Sequence, residues 1–392
     1  MRERARGKAS VGLDTAVFDA VIEAGDAAAC RQLAIELAAF LADPASPDIE
    51  RKAVVPAILK LAAMADAGLR RELARRLVGC PALHADIVFT IAADDDDIAL
   101  PFLAAAPALN SWRMLAILRV GDESRQAAIA GRGDLDPEVV TALAAEGKPK
   151  AVSALLDNPA CRLRPSDYRR IYERFTEDND ILERLLDRPE FPPELRILHA
   201  RKAADRVQAM LAERGWMAPE DAEAFLAEAE ESAILRILEA SETRHLDRLI
   251  AFLSGRDMLH ASLILRAACR GRMAVVERAL AWLSSVPGKR VSAVMAGQGS
   301  VALKAIFAAA GLPAASFPVF RASVEAWRKM GPAGPEMQAE DFGRHVVEAL
   351  MTSFPDMGGP ERARLLDLVS RFTEGRTRAL AHRLREKLVE AA

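Results

Sequence analysis

Residues 70–95 read RRELARRLVGCPALHADIVFTIAADD, and they set out helix, break, helix and acidic turn in a single stretch. Leu77 stands four residues before Pro81 and Leu83 two after it. Stepping by 26 from Pro81 reaches Pro107, Gly133 and Pro159, and a last step of 30 reaches Pro189. Four residues before these anchors stand Leu77, Leu103, Ile129, Leu155 and Leu185, and two after them Leu83, Leu109, Leu135, Cys161 and Phe191. A turn-former with apolar residues kept on both sides through five copies predicts pairs of helices about ten residues long. One such pair cannot bury its own apolar face, so the period predicts a stack, an α-solenoid whose helices share a continuous core.

The punctuation agrees with the period. Leu135-Asp136-Pro137-Glu138 and Arg164-Pro165-Ser166-Asp167 place a cap and a first-turn proline where second helices should open. Upstream, helices are expected over roughly 13–24, 27–41 and 48–65, with Phe40, Leu41 and Pro44 repeating the anchor at a spacing of 37. Residues 1–67 therefore read as a capping unit and 68–203 as about five short repeats.

From about residue 204 the register is lost. Breaks at Gly255, Gly271, Pro287-Gly288, Gly297 to Gly299 and Gly311 to Pro313 separate helices expected over 261–269, 273–283, 301–310 and 317–329. This gives a second all-helical block over 204–330. Gly331-Pro332-Ala333-Gly334-Pro335 is the expected linker, and 331–392 ends in a helix from about Glu374 to Ala391 with Leu380, Leu384 and Leu388 in one stripe.

Composition fits an all-α class. Of 392 residues 51% are hydrophobic but only 5% aromatic, which leaves Ala and Leu as packing material and disfavours sheets. A net charge of −3 offers no general attraction to nucleic acid or anionic lipid. Cys30, Cys80, Cys161 and Cys269 are dispersed without a CxxC pair and read as reduced packing residues. The start MRERARGKAS is basic, yet no signal-length apolar region follows it and no run of 18 apolar residues occurs. Cytoplasmic residence without a membrane partner is the expectation.

The pattern of helix, Asn/Arg/Cys-Pro, apolar residue, helix and Asp-rich turn resembles HEAT-like and leucine-rich-repeat-variant arrays. The run Leu263-Ile264-Leu265-Arg266-Ala267-Ala268-Cys269-Arg270-Gly271, then Ala279-Leu280-Ala281-Trp282-Leu283, then Lys304-Ala305-Ile306-Phe307 with Ala310-Gly311-Leu312-Pro313, is similar to the C-terminal half of an uncharacterised helical family common in alphaproteobacteria. The likeness spans roughly residues 70–330. It implies a fold and a bacterial cytosolic origin, and it brings no catalytic residue or cofactor.

Chemical motifs are sparse. Asp94 to Asp97 lacks the spaced ligands and distal Glu of a calcium loop and reads as an inter-helix turn whose last Asp caps the next helix. The six histidines show no metal-ligand spacing, Gly297-Gln298-Gly299-Ser300 lacks the strand and Lys-Ser/Thr of a phosphate loop, and no nucleophile elbow is found, so no catalytic residue, metal or cofactor is assigned. Trp112, Trp216, Trp282 and Trp327 read as core or groove anchors. Arg164, Arg169, Arg170 and Arg174 read as a solvated face.

Arg266, Arg270 and Arg272 are the candidate binding residues: they gather at one helix end and its turn, where guanidinium groups suit a helix C-terminus or an anionic partner. The function expected is a non-enzymatic scaffold or regulator that binds a protein along its helical surface. The alternatives are a DNA-binding enzyme resembling HEAT-like glycosylases, which the acidic balance opposes, and a small-ligand sensor at the junction of the two blocks.

Overall fold

Asp and Asn side chains start many of the helices. Asp26 accepts from the Ala28 N–H at 3.0 Å, Asp66 from Leu69 at 2.7 Å, Asp122 from Arg125 at 2.9 Å and Asp178 from Ile181 at 3.1 Å. Each satisfies a donor that the helix itself leaves orphaned. Pro137, Pro149 and Pro165 occupy first turns, where a missing N–H costs nothing. The computed structural model describes residues 15–216, 218–330, 339–352, 358–373 and 375–390. Among these residues the chain forms twenty-three α-helices and one 3-10 turn, with no strand. It divides into two compact units, residues 1–192 and 193–392.

The first unit runs through α1 (Thr15–Ala24), α2 (Ala27–Ala42), α3 (Asp48–Met64), α4 (Ala67–Leu77), α5 (Ala85–Ala92) and α6 (Asp96–Ala105). It continues through α7 (Ser111–Val120), α8 (Glu123–Ala130), α9 (Pro137–Glu146), α10 (Pro149–Asp157), α11 (Pro165–Arg174) and α12 (Asn179–Asp187). Each helix from α3 to α12 packs on the helix two before it, so α1, α3, α5, α7, α9 and α11 form one row and the even-numbered helices another. The N-terminal helices extend both rows.

The spacing in the sequence becomes a spine. Leu77 is 1% exposed, and Leu103, Ile129, Leu155 and Leu185 are all 0% exposed. Leu83, Leu109, Cys161 and Phe191 are buried as well, and only Leu135 is half-buried. Full burial of such a side chain contributes about 1.5–3 kcal/mol. The odd row supplies as much of this core as the even row, through Val88, Ile117, Leu143 and Ile171. A two-row stack needs an apolar face on both rows.

Arginine and asparagine side chains tie one repeat to the one before it. Arg132 donates to the Leu103 carbonyl at 2.8 Å, Asn158 to those of Ala130 and Arg132 at 2.9 and 2.7 Å, and Arg174 to those of Ala144 and Gly147 at 2.8 and 2.7 Å. These carbonyls lie at helix ends, where no intrahelical donor exists. The acidic turn works the same way. Asp95 takes the N-cap position of α6 without a side-chain cap bond, and the carboxylates turn to arginines instead: Asp94 and Asp95 to Arg70, Asp97 to Arg71 and Asp96 to Arg125. The last Asp of the run therefore does not cap α6, because an ion pair across helices takes its carboxylate.

The second unit opens with two long helices packed together, α13 (Pro193–Arg214) and α14 (Pro219–Ala240). Residue 203, where the repeat register ends, falls within α13. There follow α15 (Thr243–Ser254), α16 (Ala261–Cys269), α17 (Met273–Ser284), α18 (Gly288–Ala296), α19 (Ser300–Ala309), the 3-10 turn (Ala314–Ser316), α20 (Phe317–Met330), α21 (Ala339–Thr352), α22 (Gly359–Phe372) and α23 (Gly375–Glu390).

The hub is α16, in contact with α14, α17, α20, α21 and α22 and buried from Leu263 to Cys269. Its exit needs Gly271, whose φ is +76° and where an added Cβ would stand 2.9 Å from the Phe342 ring. Leu380 and Leu384 of α23 pack against this core, so the terminal helix docks within its own unit. The side chain of Leu388 and the expected linker Gly331 to Pro335 lie outside the described residues.

Candidate binding surfaces

The helix α16 is apolar on nearly every side, so its one charged residue is drawn into the interior with it. Arg266 is 3% exposed. Its Nε donates to Glu231 at 3.2 Å, its Nη1 lies 3.5 Å from Glu228 and donates to the Arg371 carbonyl at 3.2 Å, and its guanidinium sits 5.7 Å from the Phe372 ring centroid. Ser262 also donates to Glu231. Arg270 is buried too, its Nη2 donating to Ser232 at 3.4 Å. Arg272 reaches Glu239 at 2.8 Å.

The hydrogen-bond and ion-pair side chains Glu228, Glu231, Ser232 and Glu239 all lie on α14, so the three arginines fasten α16 and its following turn to that helix. As a surface site they are corrected: Arg266 and Arg270 are internal, because a guanidinium carried into an apolar interior must bring carboxylate and carbonyl partners with it. The signal that could have found the arrangement is on α14, where Glu228, Glu231, Ser232, Leu235 and Glu239 recur at helical spacing.

Arg272 alone reaches a cleft. A cavity of about 430 Å³ opens around it, with Leu246, Met273, Met295 and Trp327 among its apolar lining and the Arg272–Glu239 pair also facing it. Such a lining suits an apolar body carrying one polar group.

In the first unit the two rows differ at their outer faces. On the even row, ion pairs and hydrogen bonds join successive helices: Arg71 with Asp97, Lys150 Nζ with Ser124 at 3.4 Å, and Arg184 with Asp157 at 3.2 Å. The odd row is joined as well, Thr141 donating to Asp167 at 3.2 Å, and between α5 and α7 it presents rings. Trp112 on α7 is 52% exposed and meets Phe89 of α5 edge-on, with ring centroids 5.8 Å apart and planes at 66°. The Arg113 guanidinium lies 5.4 Å from the Trp112 ring centroid. Leu115, Ala116 and Arg119 follow on the same face of α7. Trp216 and Trp282 are also at least half exposed, and Trp327 is partly buried, so of the four tryptophans only Trp327 packs against a core.

Reactive groups are held quiet where burial is deepest. The Cys269 thiol is pushed up to about 12 by desolvation, and burial also raises those of Cys80 and Cys161. His199 is lowered, first by burial and then by Arg206 and Lys202. Among the described residues no three His, Cys, Asp or Glu side chains gather as metal ligands. None of the described helices is long and apolar enough to cross a membrane.

A family model described as an uncharacterised protein conserved in bacteria (DUF2336) matches residues 98–358. No curated protein and no solved structure matches the chain.

Proposed function

We propose that this chain, which belongs to the uncharacterised DUF2336 family conserved in bacteria, is a non-enzymatic scaffold of the HEAT-like α-solenoid kind that binds a partner protein along the odd row of its first unit. The observation that carries the reading is the pair of exposed Trp112 and half-buried Phe89, set on a row of helices fixed by a shared spine. A rigid aromatic surface flanked by arginine is the composition of interface hot spots. A two-row stack fixes such residues on regular elements, which lowers the ordering cost of binding. Cytoplasmic residence fits four cysteines whose thiols are free, three of them buried as packing side chains.

The test is photocrosslinking in bacterial cells, with benzoylphenylalanine placed in turn at Phe89, Leu115 and the exposed Ala104 of the even row. The reading expects one and the same adduct from positions 89 and 115 and none from 104. Adducts from 104 alone, or from no position, would refute it.

A further inference from the structure

In the first unit, the first turns of α3 and α5 and Arg113 from the first turn of α7 meet around a cleft of about 320 Å³. Arg51, Lys52 and Arg113 line it against a single carboxylate, Asp48, with His84 beside them. The two guanidinium groups are fixed by main-chain carbonyls. Arg51 donates to Ser46 at 3.0 Å and to Asp43, and Arg113 to Ala108 at 2.6 Å and Leu83 at 2.9 Å. Carbonyls orient a cation without cancelling its charge, and among the described residues none of Arg51, Lys52 and Arg113 has a carboxylate partner within ion-pair distance. Arg70, Arg71, Arg125 and Arg132 of the same unit all have one. Arg113 Nε, moreover, is buried without a hydrogen-bond partner.

The cleft lining therefore carries three cations to one carboxylate on a chain whose net charge is −3, with Glu50 and Asp86 of the same first turns outside that lining. The N-terminal ends of α3 and α5 add partial positive charge. His84 accepts the Asp86 N–H through Nδ1 at 3.4 Å, and Asp86 itself is not part of the cleft lining. Arg113 joins this cleft to the aromatic pair, since the same guanidinium lies over Trp112.

We infer that the cleft between α3, α5 and α7 holds an acidic segment of the partner protein, with carboxylates over Lys52, Arg51 and Arg113 and a neighbouring apolar residue against Trp112. This rests on the scaffold reading and gives its partner a chemistry. The charge complementarity supplies orientation and association rate, and the ring supplies the desolvated contact.

The experiment is fluorescence anisotropy of the full-length chain with a fluorescein-labelled peptide of repeated Glu-Glu-Leu triplets, set against a Lys-Lys-Leu peptide. Saturable binding of the acidic peptide alone is expected, weakened by added salt. Lys52→Glu, at an exposed position whose loss leaves the core untouched, should weaken it about tenfold or more. Lys289→Glu, exposed on α18, should leave it unchanged. Absence of binding to the unaltered chain, equal binding by Lys52→Glu, or equal binding of the basic peptide would overturn the inference. If that happens while the crosslinks at positions 89 and 115 persist, the acidic partner falls and the scaffold reading stands; loss of both removes the reading itself.

Discussion

Arg188 donates through Nη2 to the carbonyl of Cys161 at 2.7 Å, spanning 27 residues of sequence and one step of the repeat. A second bond from the same guanidinium reaches the Asn158 carbonyl at 3.1 Å, and Asn158 in turn donates to carbonyls of the repeat before. The repeats are thus held by apolar contact at the spine and by side-chain donors at the helix ends.

Asn158→Ala removes two donors and leaves the Ala130 and Arg132 carbonyls unsatisfied in a buried setting. The expected loss is about 1–3 kcal/mol in denaturant unfolding of the first unit. A change within error would mean that water replaces the amide freely and that the chain of side-chain donors contributes nothing.

The spine itself is tested by contrast. Leu155→Ala at a fully buried position should cost about 2–5 kcal/mol. Leu135→Ala, two residues after its anchor where this copy alone is only half-buried, should cost less than half of that. Equal costs at the two positions would contradict a common core.

Breaking the buried pair between α16 and α14 should be severe. Arg266→Met strands the Glu231 carboxylate, whose side chain is 12% exposed, and should destabilise the second unit by about 3–5 kcal/mol. Adding Glu231→Leu to the same chain should recover much of that loss. A double variant no more stable than the single one would show that Arg266 acts through packing alone.

Acid should weaken the first unit through its paired aspartates. The Arg132 guanidinium holds Asp134 below the usual carboxylate value of 3.8, the Arg125 N–H does so for Asp122, and Arg71 for Asp97. A depressed folded value means that the unfolded chain takes up protons first as pH falls. The contribution is therefore complete above 3.8 and disappears as pH drops through the lower folded values. Melting temperature recorded below about pH 4.5 should fall more steeply for the unaltered chain than for Asp134→Asn, and parallel curves would remove Asp134 from the account.

Much of the first unit was legible because its signal is repetition: the apolar residues four before each anchor all reached the interior, and the helices expected over 13–24, 27–41 and 48–65 ended within one residue of their observed C-terminal limits. Arg266 and Arg270 turn inward, which the sequence left open because residue type at a helix end does not say which way the side chain turns. Arg266 carried the information in its surroundings, since Leu263, Ile264, Leu265, Ala267 and Ala268 leave α16 no polar face for it to occupy. The Phe89–Trp112 surface and the cleft beside it were not legible. Both join residues from different repeats, and the outer face of a row is defined only once the rows are stacked.

The most direct measurement is quantitative co-purification from bacterial cells with the unaltered chain and with Trp112→Ala, a substitution at a ring more than half exposed that leaves the spine intact. The account predicts an unchanged melting temperature and the loss of the species that crosslinks at Phe89. Retention of that species by the Trp112→Ala chain, at full occupancy and the same melting temperature, would contradict it.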